Sequence, residues 1–169
     1  MILTRGKIIV IAIFVAIIAG LAALVAITNN ESGGIEKQVS VTLGNVTMKA
    51  LDEQNNVMTI EVDFAVANNS DRTLTISKID YELFANEKSL GQGFLSYESS
   101  PLVGRPPLFP DTSTTLPSDF KLNFSDDVSD VWNLLATSAD NDNISWCAKG
   151  TAEIESALSI TSVAFESCI

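Results

Sequence analysis

From Ile8 to Ile27 the chain runs twenty residues without a charge or an Asn, Gln, Ser or Thr; beyond it, apolar and polar residues alternate. The first pattern predicts one helix and the second a set of strands. A helix of twenty residues rises about 30 Å, the hydrocarbon thickness of a bilayer. The alternation is clearest over Val57–Ala67. Met58, Ile60, Val62, Phe64 and Val66 fall on one face and Thr59, Glu61, Asp63, Ala65 and Ala67 on the other, which is the signature of a half-buried strand. Val39–Met48 repeats the pattern with Val39, Val41 and Leu43 in phase. Thr73–Phe84 changes parity at Ser77-Lys78, which predicts a bulge or a break. Asn86-Glu87-Lys88 reads as a turn before a strand over Ser89–Tyr97. Ser99–Pro110 holds four prolines and a glycine and is expected to be irregular or extended. Strand character resumes over Thr112–Phe124, Ile144–Glu155 and Leu158–Cys168.

One stretch has helical spacing instead. Between Asp126 and Ala139, Val128, Val131, Trp132 and Leu135 fall at i, i+3, i+4 and i+7. Ser125 or Asp126 is placed to cap this helix, and Asp126, Asp127 and Asp130 suit the positive end of its dipole. Seven to eight strands and one short helix make an all-β domain, an immunoglobulin/fibronectin type III-like β-sandwich. It is preceded by a single N-terminal transmembrane helix. The expected organisation is a short cytoplasmic N-terminus over residues 1–7, the transmembrane helix over 8–27, a polar linker over 28–37 and the sandwich over 38–169.

Charge orients this plan. Arg5 and Lys7 precede the apolar segment and Glu31 and Glu36 follow it, so the positive-inside bias leaves the N-terminus cytoplasmic and the C-terminal domain extracytoplasmic. A cleaved signal peptide fits less well, because its apolar region is usually about 7–15 residues long. Ala12, Ala16 and Gly20 form a small-xxx-small stripe through which such helices could oligomerise. Arg5-Gly6 before an apolar helix resembles the processing site of type IV pilin-like and archaellin-like precursors. Those precursors carry Glu five residues into the mature helix, where this chain has Ile11.

The whole chain has a net charge of −11. The part after Ile27 holds all 21 acidic groups and 8 of the 10 basic ones, a balance of −13. Such a domain repels phosphate backbones, so nucleic acid is not an expected partner. Histidine is absent, which removes Ser-His-Asp and Cys-His nucleophile activation, the HExxH zinc site and histidine pH switching. Two cysteines cannot form a four-thiolate zinc site. No phosphate-binding glycine loop or cofactor motif is present, so no cofactor and no catalytic residue is expected.

The stretch Ile60–Gly93 is similar to the late embryogenesis abundant type 2 domain, also called the water-stress and hypersensitive-response (WHy) domain. That family has an apolar strand ending in an Asn-Pro-Asn-like turn, here Asn68-Asn69-Ser70 without the proline. A strand of the form hydrophobic-x-x-Ile-x-Tyr-x-Leu follows, here Ile76 to Leu83 around Tyr81, and then a Gly-x-Gly element, here Gly91-Gln92-Gly93. Phe109-Pro110-Asp111 before a Thr-rich strand, and Trp146-Cys147-Ala148-Lys149-Gly150 before the last strand, extend the likeness over residues 38–168. The resemblance implies a folded, non-catalytic sandwich with a role in water-stress or desiccation protection. It also implies a recurrent membrane-anchored form, with lipid or protein as partner. Some relatives have been proposed to hold lipid in the sandwich, which for this chain means an apolar crevice between the sheets near the membrane-proximal end.

If the last two strands pair as a hairpin centred near Ala157, Cys147 and Cys168 come opposite each other on the solvent face. A disulfide there suits an exported domain. Asn-x-Ser/Thr sequons at Asn30, Asn45, Asn68, Asn123 and Asn143 are glycosylation candidates. Glu153 and Glu155 share a strand face about 7 Å apart, a separation compatible with glycosidase-like chemistry but more simply a solvated face. Asp140-Asn141-Asp142-Asn143 starts like a calcium loop, yet Ser145 and Thr151 stand where that loop needs Gly and Glu, so no metal is expected. The expected function is non-enzymatic protection at the membrane surface; the alternative is a pilin- or archaellin-like cell-surface filament or envelope assembly subunit.

Overall fold

A computed structural model describes residues 15–22, 34–97, 104–137, 144–157 and 159–169. Among these residues eight strands, all antiparallel, form two sheets: β1 (Val39–Asp52), β2 (Val57–Asn68), β3 (Leu74–Ala85), β4 (Lys88–Ser96), β5 (Pro107–Leu108), β6 (Thr112–Asn123), β7 (Trp146–Glu155) and β8 (Ile160–Cys168). One sheet has the order β1-β2-β6. The other has the order β4-β3-β7-β8, with β5 paired to the start of β3. The two sheets face each other as a β-sandwich. Among the described residues no helix is long and apolar enough to cross a membrane. The predicted span 8–27 falls mostly outside them, with residues 15–22 helical.

The period-two pattern accounts for the core. Met58, Ile60, Val62, Phe64 and Val66 of β2 are all fully buried, as are Ile76, Ile79 and Leu83 of β3. Their alternate neighbours face outward and are only partly covered. Fully burying one such side chain stabilises the fold by about 1.5–3 kcal/mol. The predicted parity change at Ser77 is a bulge inside one continuous strand: β3 slips register against β7 between Ile76 and Lys78. Ser77 is buried there, and its hydroxyl donates to the Glu153 carbonyl at 3.2 Å. A second bulge, at Gly44-Asn45 in β1, brings Val46 inward beyond Leu43.

Turns close the strands by local chemistry. Asn86 and Glu87 both have positive φ, 49° and 67°, the backbone of a two-residue hairpin turn that follows the sheet twist. Asp52 closes the β1–β2 turn by accepting from the Gln54 and Asn55 amides at 3.1 Å. A hydrogen bond from the Asn55 side chain, with those from the two amides, holds its carboxyl below the ordinary value.

The predicted helix is a 3-10 turn over Asp126–Val128 that continues as α1 (Ser129–Thr137). Val128, Val131, Trp132 and Leu135 are buried, as their spacing required. Ser125 stands at the first cap position but makes no side-chain capping bond. Asp130 serves the helix start instead. Its carboxyl is lowered by the Val131 amide and by Lys88, 3.2 Å away on β4. The segment expected to be linker also contributes to the fold: residues 34–38 form a helical turn, and Ile35 is buried in the core.

Cys147 and Cys168 are direct cross-strand partners in β7 and β8. They form a disulfide with Cα atoms 4.0 Å apart. The flanking pair Trp146 and Ile169 exchanges both backbone hydrogen bonds, so the cysteines occupy a non-hydrogen-bonded site, where side chains approach most closely. The bridge closes a loop of 21 residues, worth roughly 3 kcal/mol in the chain-entropy account. Replacing both cysteines by serine is expected to lower the unfolding free energy by about 3 kcal/mol in urea titrations. An unchanged midpoint would show that β8 is held by its strand pairing alone.

Candidate functional site

The two sheets meet differently on their two flanks. On one, β1 lies against β8, and the Leu43 amide donates to the Ser167 hydroxyl at 3.0 Å. On the other, β4 and β6 leave a groove of about 460 Å³ lined by Gln92–Ser96 and Ser118–Lys121. Behind the lining residues Gly93, Ser118 and Phe120 stands Tyr81. This residue is buried in the middle of β3, and its ring meets Phe64 edge-on at 4.7 Å and Phe120 at 6.3 Å. Its hydroxyl lies 2.9 Å from the Ser118 hydroxyl on β6, which in turn donates to the Phe94 carbonyl on β4. Tyr81 thus joins the two sheets across the β4/β6 flank by a side-chain hydrogen bond.

Glycine on one side makes room for this ring and glycine on the other for the backbone that carries it. Gly93 and Gly150 are the cross-strand partners of Tyr81 in β4 and β7. A Cβ at Gly93 would sit 2.4 Å from the ring, and one at Gly150 would sit 2.0 Å from the Asp80 carbonyl oxygen. Neither position accepts a side chain without moving a strand. Burial pushes the Tyr81 phenol above its ordinary value, partly offset by the Ser118 hydrogen bond.

A second polar residue lies deeper still. Asn68 ends β2 on the same inward parity as Phe64 and Val66 and is fully buried. Its Nδ2 donates to the Arg72 and Leu108 carbonyls at 2.8 and 2.9 Å and to that of Phe109 at 3.3 Å. Its Oδ1 accepts from the amide and hydroxyl of Ser70. One side chain therefore ties the β2–β3 crossover to β5 and to the turn before β6. The side-chain nitrogen of this sequon candidate is thus buried and engaged in hydrogen bonds. The signal for this burial was parity, which already placed position 68 on the inner face.

The other sequence candidates are dispersed. Asn45 lies exposed on the β1 bulge and Asn123 exposed at the end of β6, while Asn30 and Asn143 fall outside the described residues. So do Ala12 and the Asp140–Asn143 loop, whereas Ala16 and Gly20 lie in the helical stretch 15–22. Glu155 is engaged by Arg105, both side chains being largely buried, so Glu153 and Glu155 are not an equivalent carboxylate pair. Among the described residues no cluster of three or more metal-ligating side chains occurs. The groove lies on the flank and mixes Gln92, Asp119 and Lys121 with Leu95 and Phe120. It differs in place and lining from the crevice expected near the membrane-proximal end.

No family model and no curated protein matches the chain. Solved structures to which it is similar include a crystal structure of a protein from Archaeoglobus fulgidus, 16% identical, covering 78% of this chain and 91% of that one at a TM-score of 0.43. A solution structure of a protein described provisionally as late embryogenesis abundant is 15% identical, with 91% and 87% covered and a TM-score of 0.41. An Arabidopsis thaliana protein solved in solution is 12% identical, with 76% and 79% covered and a TM-score of 0.47. Likenesses this distant carry no argument about what the chain does.

Two measurements check the buried polar groups. Asn68→Asp keeps the acceptor for Ser70 but removes the donor to the Arg72, Leu108 and Phe109 carbonyls, and a stranded buried acceptor costs about 1–3 kcal/mol. Urea unfolding is expected to show a loss of about 2–5 kcal/mol. With the folded pKa of Tyr81 raised, the unfolded chain ionises first. Its contribution to stability is therefore complete below about pH 10 and is lost as pH rises through the folded value. Tyr81→Phe is expected to flatten that alkaline decline in part, Tyr97 keeping its own share because burial raises it too. A variant with the wild-type slope above pH 10 would refute the assignment.

Proposed function

We propose that this chain is a non-enzymatic, membrane-tethered, extracytoplasmic domain of the late embryogenesis abundant type 2 class. It protects membranes or proteins during water stress through contact with lipid or protein partners. One observation carries the reading: the residues that resemble the family are those on which the sandwich is built. Asn68 and Ser70 form the buried polar knot at the crossover. Tyr81 stands between Gly93 and Gly150 at the centre. The contacts of these residues are structural, which supports the reading of a domain that binds or protects. The strand order β1-β2-β6 against β4-β3-β7-β8 supports the fibronectin type III-like form of the sandwich.

The tether reading rests on Ile8–Ile27 and on the placement of Arg5 and Lys7 before it. The rival, a filament subunit processed after Gly6, rests on Arg5-Gly6 and is separated by the mass of the mature N-terminus. A start at Met1 or Ile2 excludes it; a start at Lys7 supports it. For the protective role, dye-loaded vesicles carrying the full chain are dried and rehydrated. They are expected to leak less than vesicles carrying the N-terminal 37 residues alone. Equal leakage would count against protection by the domain.

A further inference from the structure

The sandwich has two unlike ends. The chain enters at the end formed by residues 34–38, 69–73, 104–111 and 155–160, where β1 begins and β2 and β7 finish. The opposite end holds the β1–β2 and β3–β4 turns, α1 and the disulfide. At the entry end, Phe109 is 56% and Ile160 is 66% exposed. Phe109 is not on a loose loop. Its carbonyl accepts from the Thr112 amide and hydroxyl and from Asn68, so the buried knot sets the position of the exposed ring.

Charge separates the ends as well. The described residues of the entry end hold three cations, Lys37, Arg72 and Arg105, against four carboxylates. At the far end, over residues 52–56, 86–88 and 124–137, one cation, Lys88, stands against six carboxylates. Phe124 and Leu134 are exposed there too, but among those carboxylates. A strand of twelve residues separates the ends by roughly 40 Å, several Debye lengths at about 10 Å each in ordinary salt. The near-neutral end is therefore the one that can approach a lipid surface without carrying the acidity of the domain with it.

Reach points the same way. Only residues 28–33 lie between the apolar segment and the helical turn at 34–38. Six residues span at most about 20 Å, so a chain anchored through Ile8–Ile27 cannot hold its sandwich far from the bilayer.

We propose that the entry end is a lipid-facing surface, with Phe109 and Ile160 inserted in the interfacial layer of the membrane that anchors the chain. The inference rests on the membrane-tether reading and adds to it a fixed orientation, β1 entry end down and acidic end outward. Aromatic and aliphatic side chains so placed lie about 5–10 Å into the headgroup and acyl boundary.

The test uses the full chain in phosphatidylcholine vesicles with brominated acyl chains, which quench tryptophan at short range. Trp132 and Trp146 belong to the far end and are buried, so they supply an unquenched background. Phe109→Trp and, separately, Ile160→Trp are expected to add emission that falls about twofold in brominated vesicles, as burial of about 5–10 Å requires. Leu134→Trp at the far end is the control and is expected to be unaffected. Flotation of the vesicles is scored on the same samples. If the chain floats but neither Phe109→Trp nor Ile160→Trp is quenched more than Leu134→Trp, the orientation is overturned and the tether stands. If the chain does not float, the tether reading falls and the inference with it.

Discussion

Everything in this molecule hangs on one face-to-face contact, that between the inner side of β2 and the inner side of β3. These are the central strands of opposite sheets, and their alternate residues are removed from water almost completely. The contact is centred on Phe64 and Tyr81. Because the side-chain period of a strand is two, a slip of one residue in either strand would turn the whole apolar set outward. That penalty holds the register of β1 and β6 against β2, and of β4 and β7 against β3. Bulges at Gly44-Asn45 and Ser77 are tolerated because each restores the inward phase of the residues that follow.

Two polar side chains sit inside this apolar frame. Tyr81 places a hydroxyl where the sheets separate on the β4/β6 flank and finds Ser118 there, so the flank is joined by a side-chain hydrogen bond. Asn68 does the same for loops. Irregular backbone that closes the end of a sandwich carries carbonyls that strand pairing leaves unsatisfied, and a buried amide supplies donors and acceptor together. The exposure of Phe109 is a consequence of that arrangement: a turn held by buried hydrogen bonds can keep an apolar ring in water, where a loose loop would fold it back.

The distribution of charge gives the domain a direction that its fold alone does not. Acidic residues crowd the end with α1 and the disulfide, while the end where the chain enters is close to neutral. The disulfide fastens the last strand at the acidic end, and the Arg105–Glu155 pair lies at the other. Between the ends, the outer faces carry cross-strand ion pairs such as Lys49 with Glu61 and Asp119, and Lys149 with Glu166. Exposed pairs of this kind add little stability, but they offset part of the self-repulsion of a strongly acidic chain.

What the amino-acid order determined by itself is the local part: where the long strands lie, which residues of β1, β2 and β3 face inward, where β3 changes parity, which face of the helix is apolar, and that Cys147 and Cys168 come opposite each other. All of these follow from periods of two and 3.6 and from hairpin symmetry, which need no knowledge of distant residues. Parity places Asn68 on the inner face, but only the tertiary structure decided what it binds there. Its partners, at Arg72, Leu108 and Phe109, come partly from the other side of a chain crossing. The docking of Ile35, the need for glycine at 93 and 150, and the groove between β4 and β6 were equally out of reach. Each depends on strands far apart in the chain lying side by side, and a pattern read along one strand carries no information about what lies across from it.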